Sequence, residues 1–138
     1  MDLAELTTLR LGGPAPAVIE AATEDVLVDV VRIADEGGDP PLLVAGGSNL
    51  VVADEGVDDT VVRVLTQGVV VDLDSCSGAM VTVQAGETWD AIVARAVDEE
   101  WVGIEALSGI PGSVGATPIQ NVGAYGQEVA QTIASVRV

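Results

Sequence analysis

Apolar positions change their period several times along this chain, and each change marks an element. Val26, Leu27, Val30, Val31 and Ala34 recur at helical spacing. Thr23 precedes them as an N-cap, Glu24 and Asp25 occupy the first turn, where the helix dipole favours acids, and Gly37-Gly38 closes the pattern. A second helix is predicted over residues 88–100, with Trp89, Ile92, Val93, Ala96 and Val97 on one face. Shorter apolar runs read as strands: residues 17–21 (AVIEA), 42–45 after Pro40-Pro41, and 80–85. Residues 60–65 and 68–73 read as two strands joined by a tight turn at Thr66-Gln67. Leu9 and Leu11 alternate within TTLRLGG, residues 7–13, which predicts a short strand or extended arm, and residues 132–138 read as a last strand. Residues 54–59 form an acidic turn. The order is β-α-β-β-β-β-α, then a glycine-punctuated segment, then β. That is a mixed α+β fold and not the regular alternation of a doubly wound sheet. A subdivision near Gln67 predicts two lobes, 1–67 and 68–138, each holding one helix.

Composition refines this picture. A chain of 138 residues can bury roughly two-thirds of its unfolded surface. Its 49% hydrophobic content supplies a core of Val, Leu, Ile and Ala, with no Phe and only Trp89, Trp101 and Tyr125 as aromatics. The formal charge is −17, from 22 acids against Arg10, Arg32, Arg63, Arg95 and Arg137, with no Lys and no His. No basic face is available for nucleic acid or an anionic membrane, and the charge bears on solubility rather than fold. Cys76, in the turn-like run DSCSG, has no second cysteine to pair with, and without a Cys or His cluster zinc and iron–sulfur sites are excluded. The start has no basic region followed by an apolar one, and no run approaches the roughly 18 apolar residues of a membrane span. A cytoplasmic protein is expected.

Candidate chemistry concentrates in two glycine-bearing stretches. In AGGSN, residues 45–49, two glycines between apolar runs let successive N–H groups point one way and form an anion-binding concavity. No Lys-Ser/Thr follows, so this is not a Walker A loop, and the GxGxxG fingerprint is absent. From spacing alone, a plain tight turn and an anion site are equally open. The second stretch runs from Gly103 to Gly126 and contains GIPGSVG, residues 109–115. Pro111 fixes φ, Gly112 permits a sharp bend, and Ser113 is placed to cap a short helix running toward Pro118 or Gln120. Free N–H groups at such a start suit a phosphate or a polarised carbonyl. Each charge-assisted hydrogen bond contributes about 1.5–3 kcal/mol, so several hold a diphosphate without one lysine. The chain's negative field is screened beyond about 8 Å at physiological salt. The pattern predicts binding by backbone and not by salt bridges. Gln120, Asn121 and Tyr125 add groups able to read a polar ring edge, or to stabilise the loop itself. Ser48, Ser108 and Ser113 have no histidine to activate them, so no catalytic residue is identified, and any redox chemistry must come from a cofactor.

TTLRLGG, VAGGSNLVVADEG at 44–56 and GIEALSGIPGSVGATPIQNVGAYGQEV at 103–129 resemble, in order and spacing, the UDP-N-acetylenolpyruvoylglucosamine reductase family. The resemblance implies the FAD-binding region of the vanillyl-alcohol-oxidase-like (PCMH-type) flavoproteins, two small α+β lobes with FAD between them. It implies that NADPH reduces the flavin, which passes hydride to the enolpyruvyl group of the UDP-sugar, giving UDP-N-acetylmuramate for peptidoglycan. Carried over residue by residue, Gly46, Gly47, Ser48 and Asn49 hold the FAD diphosphate. Ile110, Pro111, Gly112, Ser113, Gly115, Ile119, Gln120, Asn121, Gly123 and Tyr125 line the flavin and its linker. Ala116-Thr117 stands where the family often has other small residues. The family's proton-donating serine, its assisting arginine and glutamate and its substrate domain follow this region. On the resemblance, the chain is therefore expected to be an N-terminal fragment, incomplete at its C-terminus and inactive alone. Two alternatives stand: another FAD-linked oxidase or dehydrogenase of the superfamily, and a non-catalytic binding module of the same fold. The lack of His and the position of Cys76 outside both loops weigh against a covalently held flavin, and the intact glycine loops against a module without FAD.

Overall fold

Residues 1–67 and 68–138 form two compact units, Met1–Gln67 and Gly68–Val138. The computed structural model describes residues 1–74 and 78–138, so Cys76 and the turn predicted around it lie outside the described residues. The chain is α+β, and within the described residues its strands belong to separate small sheets.

In the first unit, strand β1 (Val18–Ala21) leads through Thr23 into helix α1 (Glu24–Gly37). The Thr23 hydroxyl accepts a hydrogen bond from the Val26 N–H at 3.4 Å, and Gly38 ends the helix at φ 77, a left-handed conformation that glycine adopts without steric cost. Strands β2 (Leu42–Val44) and β3 (Val61–Val64) complete a parallel sheet in the order β1-β3-β2. Val61 lies between Val18 and Leu42 in this register, which buries the central strand most deeply. Leu3, Leu6, Ala15, Val44 and Val61 form the core here. The apolar stripe of α1 is only half-buried, and no residue of that helix is fully buried.

In the second unit, β4 (Val69–Asp74) and β5 (Gly78–Val83) pair antiparallel. Helix α2 (Trp89–Asp98) buries Trp89, Ile92, Val93 and Ala96, while Val97 on the expected apolar face is exposed. A core of Trp89, Val93, Leu107 and Val129 collects Ile104, Ile110, Val114, Val122, Ala124 and Ile133 around it. The glycine-punctuated stretch is thus nailed to α2 by the apolar residues between its glycines.

Four expectations are corrected. Residues 7–13 form no strand: Thr7 closes a tight turn, and Leu9 and Leu11 are exposed. The runs on either side of Thr66-Gln67 do not pair with each other, since β3 takes β1 and β2 as partners and β4 takes β5. Ser113 stands at the N-cap position of a helical run that reaches Gln120 as expected, but its side chain does not cap it. In that run a 3-10 turn, Val114–Ala116, precedes a single α turn, α3 (Thr117–Gln120). Residues 132–138 form no strand. Ile133 packs into the core, whereas Val136 and Val138 are exposed, and no strand among the described residues pairs with them.

Candidate functional site

The first candidate loop, Gly46 to Asn49, follows directly on β2, just past the carboxyl ends of the parallel strands, where open parallel sheets tend to bind ligands. Gly47 is buried at φ 61, and a Cβ there would overlap the Leu6 carbonyl. Its own carbonyl accepts from the Thr8 N–H at 3.1 Å. Gly47 is therefore required by the fold whether or not a ligand is present. The backbone N–H groups of Gly46, Gly47, Ser48 and Asn49 donate to no acceptor among the described residues. Four successive free donors are what an anion needs and what a purely structural turn lacks. Gly46 also helps line a cleft of about 350 Å³, with Thr7, Thr8, Arg10, Ala45 and Arg63 on its other walls.

The second candidate segment is held in place by backbone bonds to the start of α2. The Trp89 N–H donates to the Gly112 carbonyl at 3.0 Å, and the Val114 and Gly115 N–H groups donate to Glu87 and Ala85 carbonyls, both at 2.8 Å. Gly115 packs so closely on Ala85 that a Cβ would lie 2.7 Å from the alanine Cβ. The Asp90 carboxylate accepts from the Gly109 N–H at 2.6 Å and from the Ser108 hydroxyl at 3.3 Å. The indole N–H of buried Trp89 donates to the Leu107 carbonyl at 3.1 Å. Between these anchors, the N–H groups of Ile110, Gly112 and Ser113 donate to no acceptor among the described residues. Ser113 is 4% exposed, and its buried hydroxyl has no hydrogen-bond partner among the described residues. A buried polar atom without a partner is costly, and a ligand supplies the missing one.

The other candidates in this segment divide. Ile110 is half-buried in the core cluster, while Pro111 is exposed beside it. Asn121 caps α3 at φ 44, and its side-chain amide is already used: Nδ2 donates to Glu128 and Oδ1 accepts from the Ala130 N–H. Ile119 and Tyr125 are 86% and 96% exposed, and Gln120 is exposed as well. Strands β6 (Gly123–Ala124) and β7 (Gln127–Glu128) form a hairpin whose two loop residues, Tyr125 and Gly126, have φ of 51 and 86. That left-handed pair matches the tight two-residue turn of a hairpin and leaves the phenol projecting from its tip.

Residue types outside the motifs also shape this segment. Glu105 accepts from the Gly103 N–H at 2.6 Å and from the Gln127 amide at 2.9 Å, and Gln127 in turn accepts from the Ala106 N–H. Hydrogen bonds from its own backbone N–H first, then from Gly103 and Gln127, hold the Glu105 carboxyl below the usual carboxylate range. Asp90, Glu105 and Gln127 are hidden from a motif reading because their partners lie 19 and 22 positions away. Among the described residues, no group of three or more His, Cys, Asp or Glu is placed to hold a metal ion, and no helix is long and apolar enough to cross a membrane.

Unpaired backbone donors in each unit, and in the second an orphaned hydroxyl, are groups that suit a phosphate-bearing ligand. The chain belongs to the FAD binding domain family, which it matches over residues 15–138. FAD is the cofactor of that family, and unpaired N–H donors such as those of residues 46–49 are what its diphosphate needs. The chain is 56% identical over 137 residues to UDP-N-acetylenolpyruvoylglucosamine reductase of Cutibacterium acnes, covering 99% of this chain and 36% of that protein. It is 54% identical over 138 residues to the reductase of the same name from Thermobifida fusca, covering 100% and 39%. It is similar to the crystal structure of UDP-N-acetylenolpyruvylglucosamine reductase (MurB) from Thermus caldophilus, with a TM-score of 0.72 and 29% identity over 94% of this chain and 44% of that one. The chain thus spans less than half the length of these relatives.

Proposed function

We propose that the chain is the FAD-holding part of an NADPH-dependent reductase that converts UDP-N-acetylenolpyruvoylglucosamine to UDP-N-acetylmuramate in peptidoglycan synthesis, in the cytoplasm. The observation that carries this reading is identity above one-half, across essentially the whole chain, to reductases of that name. When bound, FAD supplies two-electron hydride chemistry that no side chain here can supply. Gly46, Gly47, Ser48 and Asn49 direct their N–H groups to its diphosphate. Gly112, Gly115 and Gly123 bring backbone to the flavin and its linker, Gly115 and Gly123 being packed on Ala85 and on β7 behind it, Ser113 offers its hydroxyl, and Ile110, Pro111, Ile119, Gln120 and Tyr125 line the remainder. The Asn121 side chain acts indirectly, by holding the turn after α3 through Glu128 and Ala130. NADPH and the UDP-sugar are partners of the longer reductase. The 138 residues cover 36% and 39% of the two reductases named above, and the isolated chain is expected to take up FAD without turning over the sugar nucleotide.

The test is direct. The purified chain, checked for folding by circular dichroism, is mixed with FAD and desalted, and its visible spectrum is recorded. Retained flavin absorbance supports the reading, and a folded chain that neither retains nor titrates with flavin sinks it. NADPH oxidation dependent on the enolpyruvyl substrate would overturn the expectation of inactivity.

A further inference from the structure

The loop from Thr7 to Leu11 presents a cation that the free N–H donors of residues 46–49 do not account for. Thr7 is 5% exposed, and its hydroxyl clasps the loop by donating to the Leu11 carbonyl at 2.8 Å and accepting from the Leu11 N–H at 3.2 Å. The Arg10 N–H donates to the Thr7 carbonyl at 3.2 Å. So tight a closure puts Arg10 at φ 57, a left-handed conformation unfavourable for a residue with a Cβ. Backbone held there at a cost is a reason to ask what the side chain does.

The side chain is also unusual for this chain. Arg32, Arg63 and Arg95 each hold a carboxylate, of Asp29, Glu20 and Glu99. Arg10 holds none among the described residues, in a sequence with 22 acids to choose from. It lines the cleft of about 350 Å³ that Gly46 also lines, where the other charged side chains are Glu5 and Arg63, the latter already paired with Glu20. A strongly acidic protein here places a guanidinium that holds no carboxylate among the described residues beside a loop of free N–H donors. A guanidinium offers a planar fork of donors that matches phosphate oxygens two at a time.

We propose that Arg10 is a diphosphate-binding residue, its guanidinium sharing the anion with the N–H groups of residues 46–49. The chemistry recognises an organic diphosphate, and taking that group to be FAD's rests on the function proposed above. Recognition is then not by backbone alone, and the clasp at Thr7 positions the one charge that answers the ligand's own.

Binding of FAD, ADP and riboflavin to the chain, measured by calorimetry at low and at physiological ionic strength, tests this. Arg10→Asn removes the charge but keeps a residue that tolerates the left-handed conformation, and Arg10→Lys keeps the charge without the fork. Arg10→Asn is expected to weaken FAD and ADP about tenfold to a hundredfold and to flatten their salt dependence. Arg10→Lys should lose less, and riboflavin, which has no phosphate, should not distinguish the variants. FAD and ADP binding by Arg10→Asn equal to that of the unchanged chain overturns the inference while leaving the cofactor reading intact. ADP binding that depends on Arg10, in a chain that ignores FAD, overturns the cofactor reading and keeps the diphosphate site. A folded chain that binds neither ligand overturns both.

Discussion

The hydroxyl of Ser113 is enclosed by protein and has no hydrogen-bond partner among the described residues, while its neighbours are pinned on both sides. The Trp89 N–H holds the Gly112 carbonyl, and the Glu87 carbonyl holds the Val114 N–H. These bonds fix the backbone on either side of the residue. Replacing it by alanine therefore has opposite consequences with and without cofactor. In the free chain, Ser113→Ala removes a buried polar atom that has lost its water, and stability should rise by about 1 kcal/mol, or about 2–4 °C in Tm. With FAD present the same change removes a ligand contact, so affinity should fall. Thermal melts with and without FAD read both signs, and a variant destabilised in the free state would contradict the orphan-hydroxyl account. Ser113 is visible in the sequence as a serine after Pro-Gly, and the expectation was that it caps a helix. Its actual role depends on Glu87 and Trp89, whose proximity no local pattern encodes. Arg10 is a similar case: in the sequence it is one of five arginines, and only the closed Thr7–Leu11 loop and the acids paired elsewhere distinguish it.

Among elements, the helices are the most legible. Thr23 and Thr88 stand at their N-caps, Gly38 ends the first, and a 3.6-residue apolar period runs between, all within one element. Strand existence is legible too, but strand pairing is not. The apolar runs around Thr66-Gln67 suggest neighbours, yet β3 lies between β1 and β2, and β4 pairs only with β5. Period-2 patterning specifies a buried face, not the partner that covers it. For the same reason the apolar alternation at 132–138 yields no strand when no partner is present among the described residues. The AGGSN loop shows how an element can satisfy two demands. Gly47 is needed for its positive φ and for its approach to Leu6, and this same bend leaves the following N–H groups free. Gly47→Ala should cost more than about 1–2 kcal/mol from the backbone conformation alone, in the presence and absence of flavin. Denaturant melts measure it, and a variant as stable as the original would mean the loop relaxes easily. A loss of flavin binding by this variant therefore does not by itself separate a cofactor cradle from a structural turn.

The whole molecule carries 22 acids against five arginines, and most of that charge lies on exposed positions. Self-repulsion in the folded state should be relieved as the Debye length falls from about 10 Å at 0.1 M salt to about 3 Å at 1 M. Tm is expected to rise across that range, and a falling Tm would show that the acids are held by attractive pairs instead. Sequence alone was enough to establish the α+β composition, both helices, the cap and stop of the first, the two glycine loops and their likeness to FAD-binding reductases, because each is written in neighbouring residues. Tertiary structure decided which donors stay unpaired. Among the described residues, the free N–H groups at 46–49, the orphaned Ser113 hydroxyl and the unpartnered Arg10 are defined by what surrounds them, and those surroundings are brought together by contacts such as Thr8 to Gly47, Asp90 to Gly109 and Trp89 to Gly112. A hydrogen bond left unmade cannot be read from a residue's type; it appears only once every other group has taken its partner.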